Sequence, residues 1–136
     1  MAMRPVSPQG MAQPKGYSHG MKGTGEVLFV AGQIGWNAAQ RFESDDFVAQ
    51  AAQALANIAA VLRAADALPE HIVRLTWYVV DKREYLASLA ALAAPYRAVM
   101  GRHYPAMTAV EVSALIEDRA RVEIEATAVV PRPAAG

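Results

Sequence analysis

Two segments near the C-terminus, residues 103–112 and 121–130, alternate apolar and polar side chains with a period of two. Both are rich in Val, Ile and Thr, and the polar stretch between them is typical of a turn, so we predict two strands that pair with each other. In the second strand Glu123 and Glu125 are expected on the face opposite to its apolar residues. These carboxylates are candidates for acid–base chemistry, although two solvated glutamates on the wet face of an antiparallel sheet would show the same pattern.

Earlier in the chain the pattern predicts two more strands and two helices. Residues 26–35 form an apolar run bounded by glycines, which predicts a strand covered on both faces, and residues 72–80 predict a second strand rich in β-branched and aromatic side chains. Helical spacing of apolar residues predicts one helix after the acidic cap at residues 44–46 and another over residues 81–101, which opens at a capping box formed by Asp81 and Glu84. Proline lacks an amide donor and clashes with the preceding turn, so we expect a kink or break at Pro95.

This order of elements predicts an α+β fold, with a mixed sheet and two helices on one of its faces. The strands at 26–35 and 72–80 are expected to be parallel, because a crossover through a helix is right-handed and returns the chain in the same direction. Residues 1–13 are rich in Pro, Gly and Gln and are interpreted as an extended arm with room for one edge strand, followed by a single domain over residues 14–136.

Composition and charge argue against several classes of function. The 136 residues carry a formal net charge of +0, so the chain lacks the basic surface typical of proteins that bind nucleic acid or anionic membranes. Cysteine is absent, which excludes disulfides, thiolate metal sites and a cysteine nucleophile. We see neither a signal peptide nor an apolar stretch of about 20 residues. We therefore expect a cytoplasmic protein and, because 54% of so short a chain is hydrophobic, a homo-oligomer.

Two segments that contain glycine are candidate parts of a binding site. Gly32 interrupts an apolar strand, where glycine usually marks a bulge or a place that another backbone or a ligand approaches closely. Near the N-terminus Tyr17 and His19 lie between Gly16 and Gly20, a grouping typical either of a plain turn or of the lip of a pocket. His19 is a candidate acid or base near neutral pH, although a histidine in such a turn is more often a structural hydrogen-bonding residue.

A series of short motifs, in this order, resembles the RidA/YjgF family of reactive-intermediate deaminases. The resemblance covers the chain from Pro14 to Val130. The motifs that carry it are Gly16-Tyr17, Val30-Ala31-Gly32-Gln33-Ile34, Gln53-Ala54-Leu55-Ala56-Asn57-Ile58, Thr76-Trp77-Tyr78-Val79-Val80-Asp81, Tyr104-Pro105-Ala106, Val110-Glu111-Val112 and Val122-Glu123-Ile124-Glu125-Ala126.

The resemblance implies a fold like that of the small trimeric chorismate mutases. A six-stranded sheet is then backed by two helices, and three subunits form a barrel with small-molecule sites in the clefts between them. At these sites an enamine or imine is hydrolysed to a carbonyl compound and ammonia, without a metal or organic cofactor.

The family's site residues correspond to specific positions of this sequence. The resemblance implies that Glu123 positions the attacking water, that Tyr17 lines the site, and that the backbone of Ala31 and Gly32 does so as well. The family's arginine, which holds the substrate carboxylate, corresponds to Met107. Methionine has neither charge nor hydrogen-bond donor, so the chain resembles a branch of the family without this arginine.

The methionine leaves three interpretations open. The substrate lacks the carboxylate, another base such as His19, His103 or Arg102 holds it, or catalysis has been lost. Met107 also makes the pocket more apolar.

With Trp36, Tyr17 and Tyr104 as candidate neighbours, an apolar pocket suits an aromatic or larger ligand. The sequence therefore favours a deaminase with an unusual substrate, or a member of the family that binds a small metabolite without turnover. An endoribonuclease, an older label of the family, is disfavoured by the neutral charge.

Overall fold

The computed structural model describes residues 3–133, which form three α-helices, one 3-10 turn and six strands within that range. In chain order these are β1 (Met3–Val6), β2 (Gly20–Gly23), β3 (Glu26–Ile34), α1 (Phe47–Ala64), the 3-10 turn (Pro69–His71), β4 (Ile72–Val79), α2 (Lys82–Ala87), α3 (Leu89–Met100), β5 (Ala106–Glu111) and β6 (Val122–Val130).

The strands form two sheets and not the single six-stranded sheet expected from the resemblance. β1 and β2 make an antiparallel pair, and β1 lies within the segment interpreted as an arm. The other four strands form a mixed sheet in the order β3-β6-β4-β5. We call the side of this sheet that α1 and α3 cover the helix face, and the other side the open face.

The predicted pairing of β5 with β6 is wrong, because β4 lies between them. β5 pairs in parallel with β4, while β6 pairs antiparallel with both β3 and β4. The alternating residues of β6 are fully buried, which requires a central strand, whereas β5 is mostly exposed and lies at an edge. The prediction that β3 and β4 are parallel is confirmed, with β6 inserted between them.

β3 is covered on one face only, contrary to the prediction for residues 26–35. Val30 is 3% exposed and faces the core, but Phe29 is 78% exposed and Val27 is 56% exposed. An apolar run suggested burial on both sides, yet in one chain only the helix face is covered. The open face of β3 therefore presents large apolar side chains to the surroundings.

α1 is the principal core helix. Asp46 caps it, since its side chain accepts a hydrogen bond of 2.9 Å from the amide of Ala49. By length and composition α1 could cross a membrane, but one side of it is buried against the sheet, as in the core helix of a globular domain. The buried residues of this side are Phe47, Gln50, Ala51, Ala54, Leu55, Ile58 and Leu62.

Gln50 is a buried polar residue whose side chain holds α1 to the segment that leads into β6. Its amide nitrogen donates to the carbonyls of Ser44 at 3.1 Å and Arg119 at 3.0 Å, and its Oε1 accepts from the amide of Arg121 at 2.8 Å. Gly35 lies directly against it, because a methyl group on Gly35 would lie 2.7 Å from Cα of Gln50. The chain therefore needs the smallest residue at this contact.

The segment over residues 81–101 forms two helices, and of the kink or break expected at Pro95 the break is not found. The break lies at Ser88, whose φ of −101° and ψ of 0° end α2, and α3 continues through Pro95. Asp81 caps α2 as predicted by accepting from two amides, but Glu84 does not return to the cap. Glu84 instead binds Arg121 with two hydrogen bonds of 2.7 and 2.8 Å, which ties α2 to the start of β6.

Candidate functional site

Glu123 and Gly32 meet on the open face of the sheet. The ladder between β3 and β6 shifts register between Val30 and Gln33, so Gly32 lies in a bulge, as its position in an apolar strand predicted. A methyl group on Gly32 would overlap the carboxylate of Glu123. Glycine is therefore what allows this carboxylate to lie over the backbone of β3.

The two glutamates of β6 have different partners. The hydroxyl of Tyr78 donates a hydrogen bond of 2.7 Å to Oε1 of Glu125. This bond raises the pKa of Tyr78, and the charges of Glu125 and Glu123 add to the effect while that of Arg74 opposes it. Within residues 3–133 the carboxylate of Glu123 has neither an ion-pair partner nor a hydrogen-bond donor. Glu123 is therefore the carboxylate left free to bind a water molecule or a ligand.

A second candidate region is an apolar cleft of about 250 Å³ between α3 and the helix face of the sheet. Tyr96 of α3 and Tyr104, which precedes β5, stack with ring centroids 5.5 Å apart and an interplanar angle of 5°. Burial raises the pKa of Tyr96 well above its usual value, and its hydroxyl donates to the carbonyl of His103 at 2.6 Å. The lining residues are Gly16, Trp77, Tyr85, Leu89, Leu92, Ala93, Tyr96, Arg97, Tyr104 and Met107.

The segment around Tyr17 lies beside this cleft. The amide of Ser18 donates to the carbonyl of Pro105 at 3.0 Å, and its hydroxyl donates to the carbonyl of Tyr104 at 2.5 Å, so the segment is fixed to the entry of β5. Gly16 lines the cleft, which favours the lip over the plain turn. Tyr17 is 39% exposed and meets His19 edge to face, with ring centroids 5.7 Å apart.

Met107 and Glu123 lie on opposite faces of the sheet in one chain. Met107 is aligned with Leu75 of β4, which is fully buried on the helix face, whereas Glu123 is aligned with Tyr78. Leu75 and Tyr78 are three residues apart on one strand, so their side chains point in opposite directions. The structure thus brings together Gly16 with Met107, and Gly32 with Glu123, but does not join the two sets.

Comparison with protein families identifies the family of the chain. The sequence model of the family described as Endoribonuclease L-PSP matches residues 9–130. The chain belongs to this family, which is the RidA/YjgF family.

Relatives and solved structures agree with this assignment. A protein of Escherichia coli K12 named 2-iminobutanoate/2-iminopropanoate deaminase is 35% identical over 108 residues, covering 77% of this chain and 80% of its own length. A RutC family protein of Pyrococcus horikoshii is 34% identical over 128 residues, covering 93% of this chain and 90% of its own length. The structure of YyfB of Yersinia pestis, a protein of unknown function in the Rid family, has a TM-score of 0.83 at 38% identity, covering 96% of this chain and 100% of its own length. The structure of RidA from a Psychrobacter species has a TM-score of 0.67 at 27% identity, covering 96% of this chain and 99% of its own length.

Three residues that the RidA/YjgF resemblance brought forward lie outside the cleft. Trp36 follows β3 and packs on Phe42, with ring centroids 5.9 Å apart. Nε2 of His103 lies 2.6 Å from the carbonyl oxygen of Ile72, so the ring has a hydrogen-bond partner within the fold. Arg102 is exposed just beyond α3 and does not line the cleft.

Sequence reasoning missed one polar lining residue of this RidA/YjgF chain, Arg97. It lies in the last turn of α3, immediately after the buried Tyr96. The only signal in the sequence was that Arg97 is next to an apolar helix position. An arginine in the last turn of a helix usually stabilises the C-terminal end of that helix. Within residues 3–133 no group of three or more His, Asp or Glu side chains is arranged to hold a metal ion.

Proposed function

We propose that this chain hydrolyses an imine or enamine metabolite to a carbonyl compound and ammonia, at clefts between the subunits of a homotrimer. The observation that carries the proposal is the carboxylate of Glu123, which lies over the Gly32 bulge without a described partner. The relative from E. coli K12 is named for the same type of reaction. We keep residues 14–136 as one domain, residues 1–13 as its arm, and the cytoplasm as its location.

The reaction needs water to be held and a proton to be moved. In the proposed step Glu123 accepts a hydrogen bond from water and takes its proton as the water oxygen bonds to the carbon of C=N. The proton is then returned to the nitrogen, which gives a carbinolamine. As the C–N bond breaks, the hydroxyl proton of the carbinolamine moves to the nitrogen, so ammonia leaves while the carbonyl forms. Neither oxidant nor cofactor is needed, because one water is consumed for each ammonia released.

A site shared between subunits follows from the positions of the two regions. Met107 lines the cleft on the helix face and Tyr17 lies beside that cleft, whereas Glu123, Gly32 and the Ala31 backbone belong to the open face. One chain cannot place both sets around one ligand, so we propose that the cleft of one subunit faces the Glu123 of its neighbour. His19 then lies near the lip beside Tyr17.

The open face also favours assembly. Phe29, Val27 and Val110 are 78%, 56% and 41% exposed, and Val27 and Phe29 follow one another on the open side of β3. Large exposed apolar side chains beside a polar cluster are typical of protein interfaces. Met107 makes the other wall of the proposed site apolar, so we expect a substrate bulkier than the usual small imino acid.

Glu123→Gln tests the chemistry. Removing the base should lower ammonia release from an imino acid, generated in place by an amino acid oxidase, by about 100-fold or more. Glu125→Gln is the matched control, since it changes the same charge two residues away on the same strand, and it should retain most of the rate. Equal rates for the wild type and Glu123→Gln, or no acceleration with small or aromatic imines, would contradict the proposal.

Phe29→Asp tests the assembly. A charge at this exposed position should convert a trimer into smaller species in sedimentation or light-scattering measurements, while circular dichroism shows an unchanged fold. A single-chain mass for the wild type at micromolar concentration would remove the shared site from the proposal.

The second candidate is a protein that binds a metabolite without turnover. Met107 favours it, because a thioether offers neither a charge nor a donor for a reacting group. A ligand that raises the melting temperature but is not consumed would support this function.

A further inference from the structure

We infer that the cleft under α3 binds the ring of an aromatic 2-imino acid and that Arg97 anchors its carboxylate. The choice of an imino acid rests on the proposed function. The ring and the carboxylate are inferred from the residues that line the cleft.

The walls of the cleft suit a flat apolar group. Tyr96 and Tyr104 present parallel rings, and Trp77 lies against Tyr85 with centroids 6.2 Å apart. Met107 adds a polarisable thioether, which packs favourably on aromatic rings. A cavity of about 250 Å³ is just below the range of about 300 to 1,000 Å³ typical of larger ligands, so a single-ring metabolite matches its size.

Arg97 is the one charged residue among those that line the cleft. The two ion pairs found within residues 3–133 join Arg119 to Asp45 and Arg121 to Glu84, so Arg97 has no described carboxylate partner. A guanidinium presents paired donors that match a carboxylate, and an apolar cleft with one cation at its side selects an apolar anion.

The alternative role of Arg97 is to stabilise the C-terminal end of α3. Arg63 occupies the equivalent last turn of α1 and is also exposed, but it does not line the cleft. Arg63→Gln therefore matches Arg97→Gln in charge and in position on a helix. Arg102→Gln adds a control close in space to the end of α3.

The test is a titration with phenylpyruvate, the stable carbonyl compound that an aromatic imino acid would yield. Affinity is measured by calorimetry and by the fluorescence of Trp77, in a Trp36→Phe background that leaves it the sole tryptophan. We expect phenylpyruvate to bind Arg97→Gln about tenfold more weakly than the wild type, because a charge-assisted bond is lost. Arg63→Gln and Arg102→Gln should bind like the wild type.

Phenylacetone, which keeps the ring and the ketone but has a methyl group in place of the carboxylate, completes the design. It should bind the wild type and Arg97→Gln equally. Equal affinity of the two proteins for phenylpyruvate, a similar loss for phenylacetone, or no binding of phenylpyruvate by the wild type would each overturn the inference.

The same proteins separate this inference from the proposed function. Binding of phenylpyruvate that depends on Arg97, without ammonia release from the corresponding imine, supports the anchor and rejects the deaminase. Ammonia release that needs Glu123 but is the same in Arg97→Gln supports the deaminase and rejects the anchor.

Discussion

The helix face and the open face of the sheet are built from the same strands but serve different ends. On β6 the residues Ile124 and Val122 are fully buried under the helices, whereas their neighbours Glu123 and Glu125 remain partly exposed on the open face. The helix face is fixed by packing, and its cleft is lined by rings. The open face is free of that constraint and holds polar groups whose partners differ from one residue to the next. Adjacent residues of one strand can therefore be separated into those that hold the fold and those available for chemistry.

The largest difference between the faces is expected for two neighbours on β6. Ile124→Ala should lower the free energy of unfolding by about 2 to 5 kcal/mol, because it leaves a cavity in the core. Glu123→Ala should change it by no more than about 0.5 kcal/mol, because the side chain is partly exposed and has no described partner. Urea unfolding of both variants measures the contrast. A loss above 2 kcal/mol for Glu123→Ala would mean that the open face also carries the fold.

Two glycines of one segment give the next test. Gly35→Ala should destabilise the protein by about 1 to 3 kcal/mol, because the new methyl group meets Cα and the side chain of Gln50, and three hydrogen bonds hold that side chain in place. Gly32→Ala meets only the end of the Glu123 side chain, which can turn away. It should unfold close to the wild type but release ammonia more slowly.

Melting temperatures and ammonia release, measured on the same samples, distinguish these two effects. An unstable Gly32→Ala, or a Gly32→Ala variant with full activity, would show that Glu123 and the bulge are not related as proposed.

The smallest effect concerns the pH dependence of the helix face. Burial raises the pKa of Tyr96 in the folded chain above the value of about 10 that it has in the unfolded chain. The contribution of Tyr96 to the free energy of unfolding is therefore complete below about pH 10, and it declines between that pH and the pKa of the folded chain. Between pH 8 and pH 11 the wild type should therefore lose about 1 kcal/mol more than Tyr96→Phe, which has no proton to lose. Urea unfolding at both values measures this difference.

At pH 8 the same variant should be less stable by about 1 kcal/mol, because the bond to the His103 carbonyl is lost. Parallel pH profiles of the two proteins would indicate that Tyr96 is more accessible to water than the packing of α3 suggests.

Local features of the fold could be predicted from the sequence because their causes are local. The alternation in β6, the bulge at Gly32 and the caps at Asp46 and Asp81 each depend on a few consecutive residues, and all four are found. The family could be recognised for a similar reason, since its motifs are short and ordered along the chain.

Features that depend on distant residues could not be predicted. The alternation of apolar and polar residues predicted that β5 and β6 are strands. It could not predict that β4 lies between them, because that position depends on the crossover through α2 and α3. The break at Ser88 went unnoticed beside the stronger signal of Pro95.

The candidate site was predicted in part. Glu123 and Gly32 do meet, but the opposite orientation of Met107 follows from the register of β5 on β4, which the sequence does not state. Arg97 was missed because its relation to the cleft arises only when α3 packs on the sheet.

The central position of β6 has a consequence for how the chain acquires its structure. β3 and β4 have no ladder with each other, so neither can complete the sheet until residues near 130 are available. During synthesis on the ribosome, β3, α1 and β4 emerge before β6, the strand that joins β3 to β4. Pairings that span so much of the sequence also close slowly. We expect the nascent chain to remain without its native sheet until β6 has left the exit tunnel.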